Sequence, residues 1–456
     1  MGTLLLKNAR LVVTMDGQRR KIPDGGILVR DNVIEAVGPT RDLPAEADRV
    51  LDASRMVVLP GLINTHHHLY QTLTRALPAV QNAELFDWLV YLYPIWAELT
   101  AEAVYHSALV GLAELLLTGC TTASDHLYLV PQDSRHDDEI RAARELGMRF
   151  HPCRGSMSLG KSQGGLPPDS VVQTEDEIIA DGERLFNSYH DPALFSMLRI
   201  VVAPCSPFSV TGESMKRSAT WARERGLTMH THVAETLDEE QFCLRKFGCR
   251  PVEYMRRLDW VGPDVWYAHA VYLNTGEIAL MAETGTGVAH CPSSNMRLGS
   301  GIAPIREYLD AGVRVGLAVD GSASNDSSHM LAEARMALLL QRVTKGARAL
   351  SVEEALEMAT LGGAKVLGRD DLGSLAPGKA ADFIGVNMER LEYAGAACHD
   401  PMAALILCTP PAVDLSVIDG LVVVEDGRIP GFDLERAIAR QNELAAEMVR
   451  RAEEKR

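Results

Sequence analysis

The segment VVLPGLINTHHH, residues 57–68, joins an apolar run to three consecutive histidines. Side chains alternate between the two faces of a β-strand, so those of His66 and His68 would share one face and that of His67 the other. Imidazole pairs at this spacing suit a borderline metal such as zinc or ferrous iron. Taken alone, the triple histidine fits a metal site and a solvent-exposed cluster equally well, so the assignment depends on further ligands elsewhere in the chain.

Between about residues 58 and 373, short apolar runs typical of β-strands alternate with longer helical patterns. This alternation is typical of βα units around a parallel sheet, and eight such units fit a closed (β/α)₈ barrel, or TIM barrel. An open doubly wound sheet is the alternative, which is disfavoured because no glycine-rich phosphate-binding turn follows an early strand. The eight predicted strands are 58–66, 119–126, 148–154, 198–203, 227–232, 265–269, 286–290 and 314–320.

Both ends of the chain carry β-like segments outside this alternating pattern. One set lies at residues 3–15 and 26–37, and the other at residues 382–387 and 417–424. Strands contributed by both termini predict one small β domain beside the barrel. We therefore expect an α/β protein with a β-sandwich domain of residues 1–57 plus 374–432, a barrel domain of residues 58–373 and a C-terminal helix in residues 433–456.

Three more polar residues lie at the carboxyl ends of predicted strands, where barrel enzymes build their sites. His232 ends the fifth strand, His269 the sixth and Asp320 the eighth. Each has a structural explanation by itself, because strand-end aspartates often cap helices and buried histidines often serve packing, but their coincidence on one rim indicates a metal centre. Glu235 follows His232 by three residues and is the candidate proton shuttle. Stabilisation of the first turn of the next helix is the alternative role of Glu235.

Charge and cysteine usage exclude several classes of partner. The 61 acidic and 45 basic residues give a net charge of −16, which would repel a phosphate backbone, so no nucleic-acid partner is expected. The eight cysteines include no C-x-x-C pair, which favours reduced thiols over a disulfide framework or a thiolate zinc site. No apolar stretch approaches a membrane span. We expect a cytoplasmic homo-oligomer whose number of subunits the sequence does not define.

The combined pattern of PGLINTHHH at residues 60–68, HVAE at residues 232–235, His269 and Asp320 resembles the amidohydrolase superfamily over the whole chain. This resemblance implies a distorted (β/α)₈ barrel together with a β-sandwich built from both termini. Two longer segments, HVAET at residues 232–236 and HCPSSNMRL at residues 290–298, resemble the cytosine deaminase and chlorohydrolase branch of the superfamily.

The same resemblance implies the metal content. Binuclear branches of the superfamily use a modified lysine at the end of strand four, whereas residues 198–210 contain no lysine. One divalent ion is therefore implied, with zinc as the first expectation and iron as the alternative. Its expected ligands are His66, His68, His232 and Asp320.

Within this branch, NTHHHLYQT at residues 64–72, FDWL at residues 86–89 and DGSASND at residues 320–326 resemble enzymes that deaminate 8-oxoguanine or hydrolyse hydroxyatrazine. The implied activity is metal-dependent hydrolysis of the exocyclic amino group of a purine-like heterocycle, with 8-oxoguanine, converted to urate and ammonia, as the expected substrate. Deamination of isoxanthopterin or guanine, and amino- or chlorohydrolysis of a triazine, are the alternatives. A non-catalytic scaffold is disfavoured because every ligand is retained.

The implied mechanism gives three residues catalytic roles. The metal would activate a water molecule, Asp320 would take its proton, and Glu235 would protonate a ring nitrogen next to the attacked carbon. His269 would orient the water and stabilise the developing charge. Asp320 would then return its proton to the leaving amine.

Three residues are candidates for substrate contacts. Gln71 offers both a donor and an acceptor to an amide edge. Arg154 would meet a ring carbonyl or an anionic oxygen, with pairing to a neighbouring carboxylate as the alternative. Trp96 would stack on a flat ring, with core packing as its alternative.

Overall fold

Residues 2–455 are described by a computed structural model of the chain. Its strands are β1 (Thr3–Val13), β2 (Lys21–Arg30), β3 (Val33–Pro39), β4 (Arg49–Asp52), β5 (Met56–Pro60), β6 (Leu62–Asn64), β7 (Cys120–Leu127), β8 (Arg149–Ser156), β9 (Val201–Pro204), β10 (Met229–Val233), β11 (Val265–His269), β12 (Gly287–His290), β13 (Val315–Leu317), β14 (Phe383–Asn387), β15 (Leu415–Ile418) and β16 (Leu421–Glu425).

Helices occupy most of the connections between the barrel strands and the C-terminal segment. They are α1 (Leu85–Trp96), α2 (Ala101–Leu117), α3 (His136–Leu146), α4 (Glu175–Tyr189), α5 (Gly212–Glu224), α6 (Leu237–Phe247), α7 (Pro251–Arg257), α8 (Thr275–Thr284), α9 (Pro292–Arg297), α10 (Ile305–Ala311), α11 (Met330–Lys345), α12 (Val352–Glu357), α13 (Gly363–Val366), α14 (Pro401–Leu407) and α15 (Leu434–Glu454).

One sheet is built from both ends of the chain, as the terminal β-like segments predict. Its strand order is β16-β15-β14-β5-β1-β2-β3, with β4 also paired to β1. Most pairs are antiparallel, and β1 pairs in parallel with β4 and β5. The sheet curls around its own apolar core because β3 bonds back to the segment before β14: the Ile34 N–H donates to the Lys379 carbonyl at 2.9 Å.

The second sheet is the barrel, in which β6 to β13 follow one another in parallel. These strands are buried on both faces, as expected of a parallel sheet covered by helices. Residues just beyond the ends of β6 and β13 complete the closure. The Thr65 N–H donates to the Leu317 carbonyl at 3.1 Å, and the Asp320 N–H donates to the His66 carbonyl at 3.2 Å. The predicted barrel is confirmed, and its closure brings Asp320 beside His66.

The first predicted strand is corrected, because the run 58–66 is divided between the two sheets. Residues 58–60 belong to β5, which pairs with β14, and only β6 enters the barrel. Gly61 connects β5 to β6. A Cβ atom at this position would lie 2.0 Å from Thr121 Oγ1, so the connection between the two sheets requires glycine. His66 and His68 follow β6 instead of lying in it. Each of the other seven predicted runs overlaps one barrel strand.

The C-terminal residues form α15, as their helical spacing predicts, and the helix packs near the segment that follows the histidines. Gln441 Nε2 on α15 donates to Thr72 Oγ1 at 2.8 Å, and Arg451 donates to the Glu98 carbonyl at 3.1 Å. Within residues 2–455, no helix is both long and apolar enough to cross a bilayer. The domain boundaries at residues 58 and 374 stay predictions.

Candidate active site and metal centre

The four expected metal ligands converge at the carboxyl-terminal rim of the barrel, although they come from strands far apart in the sequence. Asp320 Oδ1 lies 3.1 Å from His66 Nε2 and 3.5 Å from His68 Nε2. His68 Nε2 lies 3.2 Å from His232 Nε2. All four side chains are buried. The structure therefore brings together the whole set that the strand-end positions predict.

The hydrogen bonds of the ring nitrogens fix which nitrogen of each histidine faces the site. The Nδ1 atoms of His68 and His232 each lie 2.7 Å from a backbone carbonyl, which only accepts, so Nδ1 carries the proton in both rings. His230 Nδ1 likewise donates to the Trp266 carbonyl at 3.1 Å, which leaves His230 Nε2 to accept from His66 Nδ1 at 2.7 Å. Burial keeps the pKa of His66 and of His232 well below its ordinary value, so both rings are neutral.

These tautomers aim three Nε2 lone pairs at one point beside a carboxylate. Lone pairs only 3.2 Å apart, as between His68 and His232, repel each other unless a cation lies between them. His66 Nε2 has no hydrogen-bond partner among the described residues. A donor set of three imidazole nitrogens and one carboxylate oxygen suits a divalent ion such as zinc, and ligating histidines usually donate their other N–H in this way. The residues present therefore fit a bound metal.

Glu235 and His269 face Asp320 across the same space. His269 Nε2 lies 3.5 Å from Glu235 Oε2 and 3.9 Å from Asp320 Oδ2. Ser300 Oγ donates to Glu235 Oε1 at 3.3 Å. Glu235 precedes Thr236, the N-cap of α6, and its side chain points to the site. The alternative role in the first helical turn therefore has no support in the geometry.

Burial and neighbouring charge together raise the pKa of both groups. Burial raises the pKa of Glu235, and the charge of Asp320 adds to this effect against the opposing influence of His269. Burial lowers the pKa of His269, but the carboxylates of Glu235 and Asp320 outweigh it and raise that pKa above its ordinary value. Glu235 is thus biased toward its protonated form, as a proton donor requires.

Two residues that the sequence interpretation did not assign hold His269 and Asp320 in place. Asn295 Oδ1 accepts from His269 Nδ1 at 2.9 Å, which leaves Nε2 facing the site. Ser294 Oγ donates to Asp320 Oδ2 at 2.5 Å, which leaves Oδ1 facing the histidines. Both lie in the HCPSSNMRL segment, so the signal was present in a quoted motif, but only the fold shows which side chains they contact.

The backbone is strained at the same rim. His269 and Asp320 have φ values of 69° and 64°, and Ala234, next to Glu235, has a φ of 56°. Non-glycine residues in this left-handed region cost about 1–3 kcal/mol each and cluster at functional sites. Here the unusual backbone lies at or just beyond the ends of β10, β11 and β13, at the rim where Glu235, His269 and Asp320 face one another.

A small cavity opens beside these residues. Gln71, Trp88 and Tyr93 line it, and each has a buried polar atom without a hydrogen-bond partner among the described residues: Gln71 Oε1, Trp88 Nε1 and the Tyr93 hydroxyl. Gln71 is where the sequence places it. Trp88 and Tyr93 were not predicted, although Trp88 stands in the quoted FDWL segment.

The other two predicted substrate contacts do not reach this cavity. Arg154 Nε donates to Asp181 Oδ2 on α4 at 3.1 Å, and its second terminal nitrogen donates to Gln173 at 3.1 Å, so the guanidinium pairs with neighbouring polar groups. Trp96 is fully buried behind Tyr70 and Trp88, and its indole N–H donates to Thr74 Oγ1 at 3.2 Å. For both residues the structural alternative is what the geometry supports.

Gly321 leaves room for the Gln71 amide, which yields a prediction about substrate binding. A Cβ atom at position 321 would lie 1.9 Å from Gln71 Oε1. Gly321→Ala should therefore displace the amide and lower kcat/KM by about tenfold, the value of roughly one hydrogen bond, mainly through KM. Steady-state kinetics with Gly38→Ala as the control checks this, since a Cβ at Gly38 meets nothing within 4 Å. Unchanged KM in Gly321→Ala would contradict a binding role for Gln71.

Comparison with known proteins agrees with this geometry. The model of the amidohydrolase family matches residues 57–423. The 8-oxoguanine deaminase of Pseudomonas aeruginosa is 49% identical over 98% of this chain and 100% of its own length. The hydroxydechloroatrazine ethylaminohydrolase of Pseudomonas sp. (strain ADP) is 40% identical over 96% of this chain and 94% of its own.

A solved structure extends the likeness to three dimensions. The atrazine chlorohydrolase of Arthrobacter aurescens TC1, complexed with zinc, superposes with a TM-score of 0.93 at 36% identity, covering 97% of this chain and 100% of that chain. The family match spans the barrel with its four converging histidine and aspartate side chains, and the similarity extends over nearly the whole chain. This chain belongs to the amidohydrolase family.

Proposed function

We propose that this chain binds one divalent ion, zinc, and hydrolyses the exocyclic amino group of a purine-like bicyclic ring, with 8-oxoguanine converted to urate and ammonia. The chain is a hydrolase of the amidohydrolase family. The observation that carries the proposal is the convergence of three neutral imidazole Nε2 atoms and one carboxylate, with Glu235 and His269 facing them across a small cavity. The zinc in the similar solved structure supports the choice of metal.

Asp320 and Glu235 carry out different proton transfers in the proposed reaction. A divalent ion at this site would supply a water molecule acidified toward neutral pH. Asp320 is placed to accept a proton from that water, with its Oδ2 held by Ser294. Protonated Glu235 donates to the ring nitrogen beside the amino-bearing carbon, which breaks the aromaticity that opposes attack. The proton on Asp320 then passes to the amino nitrogen, so ammonia is the leaving group.

The cavity favours a flat ring with polar edges. Gln71, Trp88 and Tyr93 offer an acceptor, a donor and a hydroxyl, and no lysine or arginine lines the cavity in the described part of the chain. The ring faces meet apolar side chains such as Leu89 and Phe208. An amino-oxo bicyclic ring matches this pattern. The 49% identity to an 8-oxoguanine deaminase supports that substrate over isoxanthopterin and guanine.

Hydrolysis of a triazine is the second candidate function. It is favoured by the 40% identity to a hydroxydechloroatrazine ethylaminohydrolase and by the similar fold of an atrazine chlorohydrolase. The two functions share the metal site and Glu235, and they differ in the ring that the cavity accepts. The choice between them therefore rests on substrate discrimination.

Ammonia release across a panel of substrates tests the proposal. The panel is 8-oxoguanine, guanine, isoxanthopterin, cytosine and a hydroxylated aminotriazine, each measured with zinc-loaded enzyme. A site that hydrogen-bonds ring polar groups rejects analogues without them by up to about 10⁴-fold, so 8-oxoguanine should have the highest kcat/KM. Turnover of cytosine as fast as 8-oxoguanine, or faster release from the triazine, would contradict the substrate while leaving the metal-hydrolase assignment intact.

Two broader properties belong to the same proposal. A cytoplasmic location is supported by the cysteines, of which six are buried and all are free. A homo-oligomer stays a prediction, and the mass of the purified protein in solution decides it.

A further inference from the structure

Glu239, on α6, bonds directly to the loop that carries Glu235. The Glu239 side chain is fully buried, and both of its carboxylate oxygens accept backbone hydrogen bonds: Oε1 from the Ala234 N–H at 2.7 Å and Oε2 from the Glu235 N–H at 2.9 Å. We propose that Glu239 is a positioning residue that holds the Glu235 carboxyl against the reacting ring. The proposal rests on the function proposed above for Glu235.

The loop needs these two hydrogen bonds because the conformation of its backbone is unfavourable. Ala234 has a φ of 56°, a left-handed conformation that an alanine leaves unless neighbouring contacts hold it. From the other side, the Ala234 carbonyl accepts from the N–H groups of Val271 at 2.9 Å and Tyr272 at 3.0 Å. Two successive N–H groups in such a turn form a concave anion site. Here the Glu239 carboxyl group occupies that site.

The spacing from Thr236 to Glu239 predicts only a helix cap, because a threonine followed three residues later by glutamate is a capping box. In a full box the glutamate returns to the N-cap N–H, as Glu277 does with Asn274 at 2.9 Å on α8. On α6 only half of the box forms: the Glu239 N–H donates to Thr236 Oγ1 at 3.3 Å. The Glu239 carboxyl group does not bond to the Thr236 N–H but to the N–H groups of Ala234 and Glu235. Its contacts therefore stabilise the loop and not the helix cap.

Glutamine at position 239 keeps the shape of the side chain but offers one acceptor oxygen in place of two. One of the loop N–H groups would then face an NH₂ group, and the turn would relax. Because a misplacement of about 1 Å can cost on the order of 10²-fold in rate, Glu239→Gln should lower kcat by about that factor. Zinc content should be unchanged, and backbone amide exchange in the peptide containing residues 234–235 should become faster.

Glu277→Gln is the matched control. Glu277 holds the equivalent third position of the helix after the next barrel strand, and its carboxylate contacts the cap of its own helix and Arg250. This variant should leave kcat and the exchange of residues 234–235 as in the parent. Equal effects of the two substitutions would mean that Glu239 acts only as a helix cap, which would overturn the proposal.

A double-mutant cycle separates positioning of Glu235 from a general structural role. The parent, Glu239→Gln, Glu235→Gln and the double variant are compared by kcat, zinc content and amide exchange. If Glu239 acts through Glu235, then Glu239→Gln lowers kcat no further once Glu235 is glutamine. An equal loss in both backgrounds, loss of zinc in Glu239→Gln, or unchanged amide exchange would overturn the proposal.

The cycle also distinguishes this proposal from the one on which it rests. Retention of full turnover by Glu235→Gln would contradict the proton-donor role itself, whatever Glu239 does. If Glu239→Gln does not fold, Glu239→Asp replaces it in the cycle, because aspartate keeps the carboxyl group but is one methylene too short to reach both amides. Failure of both variants to fold would show that Glu239 sustains the fold, and would overturn the positioning role.

Discussion

Glu235→Gln is expected to retain one equivalent of zinc and to lose most of its turnover, by about 10²–10⁴-fold. Glutamine preserves the shape of the side chain and its bond to Ser300 but has no proton to give to the ring. Burial raises the pKa of Glu235, and only its protonated form donates, so kcat of the parent should fall as pH rises through that pKa. A pH profile of kcat for both proteins measures the effect.

The control for this variant is Glu283→Gln, a substitution of an exposed glutamate on α8. It should match the parent in rate and in pH profile. If Glu235→Gln turned over within a few-fold of the parent, or kept the alkaline decline in kcat, the proton donor would be another group.

His66→Ala and Asp320→Asn should each abolish detectable turnover. The first removes one of three converging imidazole nitrogens, and the second removes the carboxylate charge and the base together. Zinc content measured by elemental analysis should fall from one equivalent to background in His66→Ala, while circular dichroism shows that the barrel is retained. Removal of zinc from the parent by a chelator should give the same loss, and readdition should restore activity.

His399→Ala is the matched control, because His399 is exposed and far along the chain from the barrel ligands. It should keep both zinc and activity. Full zinc content in His66→Ala would contradict the ligand assignment, and two tightly bound ions per parent chain would contradict the single-ion proposal.

The sequence predicts the barrel well, and it places the residues of the candidate metal centre on one rim, because both follow local rules. The barrel strands alternate regularly with helical segments, and barrel sites lie at strand ends, so His232, His269 and Asp320 could be found by position alone. The prediction of a single first strand over residues 58–66 is wrong for a physical reason. The run from residue 57 is continuously apolar, and only sheet pairing reveals that β5 joins β14 while β6 joins β7.

Substrate contacts were harder to predict because they depend on the direction of single side chains. Arg154 and Trp96 are residue types that bind polar edges and flat rings. Arg154, however, pairs with a carboxylate on α4, and Trp96 is covered by an aromatic cluster. Trp88, on the same helix as Trp96, lines the cavity instead, and its indole N–H has no partner among the described residues. The proposed role of Glu239 could not be predicted either. Its spacing from Thr236 fits an ordinary capping box, and only the hydrogen bonds show that its side chain contacts the loop instead of the cap.

Zinc titration of the metal-free enzyme, followed by ammonia release from 8-oxoguanine, tests the central claim most directly. One set of four ligands predicts that the rate rises in proportion to added zinc, reaches a plateau at one equivalent per chain, and produces urate and ammonia in equal amounts. A plateau only at two equivalents would contradict the single-ion centre, and the absence of ammonia at every zinc concentration would contradict the deaminase.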